Sequence, residues 1–157
     1  MHNSTLCYVI RGDQVLMLHR VKKKNDVNKD KWIGIGGKFE AEESPDECLL
    51  RECREETGLR LTSWQCRGVV TFLQEGGEGE YMYLFTAEEF EGNLHDCPEG
   101  DLQWVSREFL YRLPMWEGDR IFLDLLWRNA PFFLLTLRYR GEVLTQAVLN
   151  GEEIHRI

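Results

Sequence analysis

Three glutamates in the first half of the chain are spaced so that their carboxylates meet. Glu52, Glu55 and Glu56 stand at positions i, i+3 and i+4, and on an α-helix these positions share one face. Like charges at this spacing destabilise an isolated helix by about 0.2–0.5 kcal/mol per pair. A divalent cation removes that conflict, and hard oxygen ligands suit Mg²⁺ or Mn²⁺. The spacing predicts a metal site; the alternative is a solvated acidic face with an Arg51–Glu55 ion pair.

The flanking residues predict where this helix begins and ends. Ser44 is followed by Pro45 and Glu47, the pattern of a capping box with proline at the first helical position. Gly58 suits the left-handed conformation that ends many helices. A helix of about three to four turns is therefore expected between them. The residues expected on its buried face are Leu49, Leu50 and Cys53.

The whole stretch from Gly37 to Leu59 resembles the Nudix box, GX5EX7REUXEEXGU. Its one soft departure is Cys53, where a larger aliphatic residue is usual, and a buried cysteine packs as a small hydrophobe. The resemblance implies the α/β class, with a Nudix α/β/α sandwich, a mixed central sheet and a box helix. It also implies a Mg²⁺-dependent hydrolase, with Mn²⁺ as the other candidate cation. The matching residues are Gly37, Glu43, Arg51, Glu52, Glu55, Glu56, Gly58 and Leu59.

The resemblance further implies the roles of the box side chains. Glu55 and Glu56 are expected to coordinate the metal. Glu52 is the candidate for a further metal ligand and for the general base or the holder of the attacking water. Arg51 is expected to fix the ligand geometry by pairing with Glu55 or Glu43, as residues around a metal site commonly do.

Two further metal ligands are expected outside the box. The stretch before it holds three glycines in four positions, at 34, 36 and 37, which allows close backbone approach to a ligand. In the family a carbonyl of this loop joins the metal shell, and Gly36 is the matching residue. MutT-type members also use a glutamate ahead of a strand containing Trp-Val, here Trp104-Val105. Glu99 matches that position; the alternative is an exposed turn residue.

Basic residues near the box are candidates for phosphate binding. Lys38 is placed to meet a phosphate, and the alternative is a surface lysine beside a turn. Arg20, Lys22, Lys23 and Lys24 form a basic cluster in an acidic chain. Arg20, at the end of its strand, is the member expected to steer a triphosphate, and the others are expected to be solvated.

Outside the box stand Lys31-Trp32-x-Gly-x-Gly-Gly-Lys38, Pro114-Met115-Trp116-Glu117-Gly118-Asp119, and Phe132-Phe133 before the terminal hairpin. With these stretches, nearly the whole chain resembles the MutT/MutX group of 8-oxo-dGTP diphosphatases. In that group a tryptophan matching Trp116 stacks on the base, and an acid matching Asp119 faces the base edge. The alternatives are a core aromatic and a helix N-cap. Ile33 stands where mammalian members carry an asparagine that reads the purine, and Gly118 replaces a second aspartate. Base recognition is therefore expected to differ in detail.

Composition sets the class of protein. The chain has 157 residues, so one domain over 1–157 is expected. A net charge of −8 argues against binding long nucleic acid. No apolar run approaches the length of a membrane span, and no signal peptide is recognised. The five cysteines form no CxxC pair, which favours a reduced, cytoplasmic setting. A small-molecule nucleotide partner, no membrane, and a monomer or homodimer are expected.

Alternating patterns predict a mixed α/β organisation without linkers or repeats. Strands separated by glycine turns are expected to form hairpins. A helix is expected from Asp119 to a point before Pro131. The predicted hairpins pair Leu6–Ile10 with Val15–Leu18, Val69–Leu73 with Tyr81–Phe85, and Phe133–Tyr139 with Val143–Leu149; Leu102–Val105 is a further strand.

The expected reaction is attack of water on a nucleoside triphosphate, giving a nucleoside monophosphate and pyrophosphate. An oxidised substrate such as 8-oxo-dGTP would make the enzyme a sanitiser of the nucleotide pool. Another Nudix substrate, such as ADP-ribose, a dinucleotide or capped RNA, is the first alternative. An isopentenyl-diphosphate isomerase is a second, opposed by the complete hydrolytic box and the short chain. A non-catalytic ligand-sensing domain is the third, opposed by the retained box glutamates.

Overall fold

The chain folds into a mixed β-sheet with helices packed around it. This computed structural model describes residues 1–22, 26 and 28–157; Lys23 and Lys24 of the predicted basic cluster lie outside them. The strands are β1 (His2–Arg11), β2 (Gln14–His19), β3 (Trp32–Ile33), β4 (Ile35–Lys38), β5 (Arg60–Gln74), β6 (Glu80–Glu91), β7 (Asp101–Ser106), β8 (Phe133–Arg140), β9 (Val143–Leu149) and β10 (Glu152–Arg156). The helices are α1 (Pro45–Thr57), α2 (Arg107–Leu110) and α3 (Glu117–Trp127).

The sheet combines parallel and antiparallel pairs. Its strand order is β10-β9-β8-β5-β6-β1-β2-β3, with β4 paired to β1 and β7 paired to β2. The pairs β1–β6 and β5–β8 are parallel, and the remaining pairs are antiparallel. The three predicted hairpins and the predicted strand at Leu102–Val105 are confirmed. Strand β10 was not predicted, because its sequence Glu-Glu-Ile-His-Arg lacks apolar alternation.

Alternate side chains of β1 enter two separate hydrophobic cores. Leu6 and Tyr8 pack in the core that contains α3, whereas Cys7 and Val9 pack in the core that contains α1. Successive side chains of a strand point to opposite faces, so the sheet lies between the two helices. This arrangement confirms the predicted α/β/α sandwich. The helix residues in these cores include Leu49 and Cys53 of α1 and Phe122, Leu123, Leu125 and Leu126 of α3.

Helix α1 begins and ends where the sequence predicted. The Ser44 hydroxyl accepts a hydrogen bond from the Glu47 N–H, and the Glu47 carboxylate accepts one from the Ser44 N–H. At the other end, Gly58 has φ of 84° and donates its N–H to the Arg54 carbonyl. An N-cap of this kind contributes about 1 kcal/mol. With both ends defined, the glutamate-bearing face of α1 is held in one register against β4.

None of the helices formed by the described residues is long and apolar enough to cross a membrane.

Candidate active site

The buried end of the acidic face is Glu56, which lies against the backbone of β4. Its side chain is only 5 % exposed, and Oε1 accepts a hydrogen bond of 3.2 Å from the Gly36 N–H. Its Oε2 is buried and has no hydrogen-bond partner among the described residues. Burial, with the neighbouring Glu52 and Glu99 carboxylates, raises the pKa of Glu56 well above its ordinary value. Glu56 therefore needs a proton or a cation.

Two adjacent glycines make room for this arrangement in different ways. A Cβ atom at Gly36 would lie 1.9 Å from the Thr5 carbonyl oxygen of β1, so glycine is needed for strand pairing. A Cβ atom at Gly37 would lie 2.5 Å from Cδ of Glu52, so a glycine at this position leaves room for the Glu52 carboxylate. A strand residue presents its N–H and C=O to the same edge, and the Gly36 carbonyl therefore faces the same side as Glu56.

Arg51 ties the remaining acids of the box together. It donates to both carboxylate oxygens of Glu43, at 2.7 and 2.9 Å. This paired bond lowers the pKa of Glu43 to about 2. Arg51 also donates to Glu52 at 2.8 Å and to Glu55 at 3.2 Å. Its guanidinium offsets part of the negative charge while leaving Glu55 61 % exposed.

Glu99 approaches the box from the loop before β7. It lies near enough to Glu56 for its charge to contribute to the raised pKa of that group. Arg20 donates to Glu99 at 3.0 Å and to Asp26 at 2.6 Å, with 11 % of its side chain exposed. The structure therefore places Arg20 against acidic partners. Lys38 is exposed at the end of β4.

The donors at the box fit a divalent cation. Within residues 1–22, 26 and 28–157, no three His, Cys, Asp or Glu side chains are close enough to hold a metal as they stand. Glu52 and Glu55 are instead turned toward Arg51. The orphaned Oε2 of Glu56 and the surrounding oxygen donors are nevertheless the chemistry that Mg²⁺ prefers. Exposed Glu55 is free to turn at little cost.

A second feature is a small cleft on the α3 side of the sheet. Its volume is about 80 Å³. Apolar side chains form most of its wall, and its polar lining residues are Asn28, Glu80 and Asp119. A concave apolar site with few polar groups is the usual form of a ligand pocket. The lining residues are Leu6, Asn28, Ile33, Phe72, Glu80, Met82, Trp116 and Asp119.

Trp116 is both a core residue and part of the cleft wall. It is 4 % exposed and meets Phe72 and Tyr139 edge to face, with centroids 5.3 and 5.0 Å apart. The Lys31 ammonium lies 4.7 Å from its ring centroid. Its Nε1–H donates to Oδ1 of Asn28 at 2.7 Å. The indole is thus held in one orientation from several sides.

Asp119 is the buried acid of the cleft. It is the third residue of α3, and Trp116 occupies the N-cap position, so Asp119 does not cap the helix. The residue is 6 % exposed, and its carboxyl group has no hydrogen-bond partner among the described residues. Burial raises the pKa of Asp119 to about 8, partly offset by the charges of Arg120 and Lys31. Burial therefore favours the protonated form of Asp119.

The structure shows which residues surround Gly118 and Ile33, the two positions that differ from the mammalian pattern. Gly118 donates its N–H to the Tyr139 hydroxyl at 2.8 Å. A Cβ atom at Gly118 would lie 2.5 Å from a Leu137 methyl carbon and 2.6 Å from that hydroxyl, so a second aspartate here would require both side chains to shift. Ile33 lines the cleft as an apolar wall.

Three residues at the cleft were missed by sequence reasoning. Asn28 and Glu80 line it, and Lys31 covers Trp116. Asn28 and Glu80 belong to no local motif, and Lys31 begins the Lys31–Lys38 stretch without a role assigned to it. Glu80 reaches its place because β6 runs parallel to β1, where the His2 and Ser4 side chains hold its Oε2 at 3.1 and 2.8 Å. Only the strand pairing reveals this.

Comparison with known proteins decides the family. The family model described as the NUDIX domain matches residues 1–126. The chain belongs to the Nudix family. An uncharacterised Nudix hydrolase of Bacillus subtilis (strain 168), YvcI, is 33 % identical over 143 residues, 88 % of this chain and 87 % of that protein.

Other relatives place this Nudix protein near MutT-like enzymes. The oxidized purine nucleoside triphosphate hydrolase of Danio rerio is 29 % identical over 152 residues, 95 % of this chain and 94 % of that protein. The crystal structure of a mutator MutT protein from Bacillus halodurans has a TM-score of 0.85 at 29 % identity, covering 97 % of this chain and 99 % of that one. The protein is thus a Nudix hydrolase, a class that acts on pyrophosphate bonds of small nucleotides and generally uses divalent metals.

Proposed function

We propose that this Nudix hydrolase cleaves oxidised purine nucleoside triphosphates, 8-oxo-dGTP foremost, to the nucleoside monophosphate and pyrophosphate. The observation that carries the proposal is Asp119, a buried carboxyl group without a hydrogen-bond partner that faces a cleft beside Trp116. The similarity to an oxidized purine nucleoside triphosphate hydrolase supports the substrate class. In a cell the enzyme would work in the cytoplasm, where it would keep oxidised nucleotides from DNA synthesis.

The box supplies the hydrolytic centre in this proposal. Glu52, Glu55 and Glu56 would hold Mg²⁺ or Mn²⁺, together with the Gly36 carbonyl and Glu99. When bound, such a cation polarises phosphoryl oxygens, offsets substrate charge and makes water a better nucleophile.

The protein's own groups then position the reactants. Glu52 lies against Gly37 and accepts one hydrogen bond from Arg51, which leaves its other oxygen to accept a proton from the attacking water. Arg51, anchored on Glu43, keeps the acidic face in register. Lys38 would contact a phosphate from its exposed place at the end of β4. Arg20 would position Glu99. Once released from its acidic partners, it would contact the triphosphate.

A protonated Asp119 explains selectivity for an oxidised guanine. A neutral carboxyl group offers an acceptor and a donor side by side. Oxidation of guanine at C8 places an N7–H donor next to the O6 acceptor, so both bonds form. Unmodified guanine presents two acceptors at this edge, which leaves the carbonyl oxygen of Asp119 facing an acceptor. A site built for one hydrogen-bonding pattern rejects the other because its own polar atom stays unpaired.

Stacking on Trp116 requires the cleft to open. Its volume of about 80 Å³ is well below the roughly 300 Å³ of small ligand pockets. Lys31 covers the indole and pairs with the exposed Glu142. Only the Glu142 side of this pair is exposed, because the Lys31 side chain is 14 % exposed, so a base has to displace an ammonium group that is held from two sides. Stacking of the base on the Trp116 indole contributes roughly 1–3 kcal/mol.

A hydrolysis panel tests the proposed function. It comprises normal and oxidised deoxynucleoside triphosphates, ADP-ribose, a dinucleotide and capped RNA, each with Mg²⁺ and with products identified. We expect the highest kcat/KM for 8-oxo-dGTP. Equal values for 8-oxo-dGTP and dGTP would reject the sanitising role and leave a general nucleotide pyrophosphohydrolase. Faster cleavage of ADP-ribose, a dinucleotide or capped RNA would favour another Nudix activity, and no turnover at all would favour a ligand-sensing domain.

A further inference from the structure

The Asn28 amide stands at the cleft in a fixed orientation. Its oxygen accepts the Trp116 Nε1–H at 2.7 Å, and an indole nitrogen can only donate. The atom facing Trp116 is therefore the amide oxygen. The Nδ2 group at the other end has no hydrogen-bond partner among the described residues, although Asn28 lines the cleft.

The other polar groups of the cleft are acceptors or mixed groups. Glu80 is held through its Oε2 by His2 and Ser4, and its Oε1 has no partner in the described part of the chain. Asp119 contributes its carboxyl group. Among the described residues that line the cleft, Asn28 is thus the polar one whose free end only donates.

This set of groups matches a base with several N–H donors and one keto acceptor. A guanine-type base carries N1–H and an exocyclic amino group, which suit the Glu80 carboxylate, and its O6 can accept a second hydrogen bond beside the one proposed from Asp119. A 6-aminopurine presents an amino group there instead, and two donors face each other. Because Ile33 is apolar, Asn28 is the cleft residue with an amide donor to offer.

We propose that Asn28 is the specificity-determining residue of this cleft, donating from Nδ2 to the keto oxygen of a 6-oxopurine. The inference rests on the proposed function, cleavage of purine nucleoside triphosphates, and names the residue that selects among them. Its role is distinct from that of Asp119, because Asp119 distinguishes the oxidised edge from the unmodified one. Asn28 distinguishes a keto group from an amino group.

A purely structural role for Asn28 is separable by substitution. Asn28→Asp keeps an oxygen for Trp116 Nε1–H and replaces only the free amino end. Asn28→Ala removes both ends. If Asn28 serves only to hold Trp116, Asn28→Asp behaves as wild type, and Asn28→Ala lowers kcat/KM equally for every base. The added charge of Asn28→Asp acts equally on all triphosphates, so it cancels in a ratio between bases.

The experiment measures kcat/KM for dGTP, dATP, 8-oxo-dGTP and 8-oxo-dATP in wild type and both variants. We expect the ratio of 6-oxo to 6-amino substrate to fall about tenfold or more in Asn28→Asp, the loss typical of an unmatched polar group. An unchanged ratio in a variant with wild-type Tm overturns the inference. If wild type cleaves no nucleoside triphosphate, the proposed function has failed instead. Tryptophan fluorescence titration with dGMP and dAMP then tests Asn28 alone: an equal change in both affinities overturns its role.

Discussion

The carboxylate of Glu52 occupies the space that a side chain at position 37 would need. Any Cβ atom at Gly37 would lie 2.5 Å from Cδ of Glu52 and 2.7 Å from both of its oxygens. The neighbour is the far end of a flexible side chain, which can move. The neighbour of Gly36, by contrast, is the Thr5 carbonyl of β1 at 1.9 Å, which cannot. The two adjacent glycines therefore have different neighbours: Gly37 faces a box carboxylate, and Gly36 faces the backbone of β1.

Gly37→Ala should impair activity far more than stability. The new methyl group displaces the Glu52 carboxylate from the place where it would meet the attacking water. We expect kcat to fall by about a hundredfold, the low end of general acid–base contributions, with Tm nearly unchanged. Gly36→Ala is the matched control and should lower Tm strongly, because its clash is with backbone. Full activity in Gly37→Ala would remove Glu52 from the reacting centre.

The box carboxylates should be needed for metal-dependent turnover. Glu55→Gln or Glu56→Gln should lower kcat by about a hundredfold or more, as for loss of a main electrostatic contributor. Mg²⁺ should raise the Tm of wild type, because it binds only the folded state, and should raise that of Glu56→Gln less. Near-normal turnover of either variant in Mg²⁺ would show that the metal site is elsewhere. Glu153→Gln, remote in β10, is the control.

The bond cleaved should lie between the α and β phosphates. The products are then a nucleoside monophosphate and pyrophosphate. Hydrolysis in isotopically labelled water, followed by mass spectrometry of both products, identifies the attacked phosphorus from the product that carries the label. Orthophosphate and a nucleoside diphosphate as primary products would contradict the prediction.

Asp119 should make stability depend on pH. Its ordinary pKa of 3.8 becomes about 8 in the fold because the group is buried. Between these values the unfolded chain loses the proton while the folded chain keeps it, so the free energy of unfolding falls as pH rises. The Asp119→Asn variant has no carboxyl group at this position, so its free energy of unfolding does not fall for this reason. Its Tm advantage over wild type should grow from about pH 4 to pH 8 by at least 2–4 °C, the effect of about 1 kcal/mol, then level off.

The control for that titration is Asp124→Asn on the same helix, where the side chain is 60 % exposed. Calorimetric scans at several pH values measure both variants. A pH-independent difference between Asp119→Asn and wild type would mean that Asp119 is ionised in the fold.

Base preference should depend on Asp119 and base affinity on Trp116. Asp119→Ala should remove most of the preference for 8-oxo-dGTP over dGTP. Trp116→Phe should weaken the binding of both nucleotides alike, since a smaller aromatic ring stacks less well on any base. Phenylalanine is the informative change, because Trp116 is buried and truncation to alanine typically costs 3–5 kcal/mol. A preference unchanged in Asp119→Ala would assign discrimination to another cleft residue.

Much of this protein's structure depends on residues that are close together in sequence, so it could be predicted from the sequence alone. The caps of α1 were predictable because Ser44, Glu47 and Gly58 act through neighbours within a few residues. The family was predictable because the box glutamates lie on one such helix. The hairpins follow from alternation and glycine turns, which are also local. Strand β10 escaped prediction, because its place depends on pairing with β9 and not on its own pattern.

The tertiary structure decided which of these groups are left unsatisfied. Glu56 has a buried oxygen without a partner only because β4 covers the helix face there. The pKa of Asp119 is raised through burial, which its sequence neighbours do not determine. Asn28 meets Trp116 across 88 positions of sequence. Desolvation and long-range contact depend on how distant segments pack, and neither is encoded in the spacing of residues along the chain.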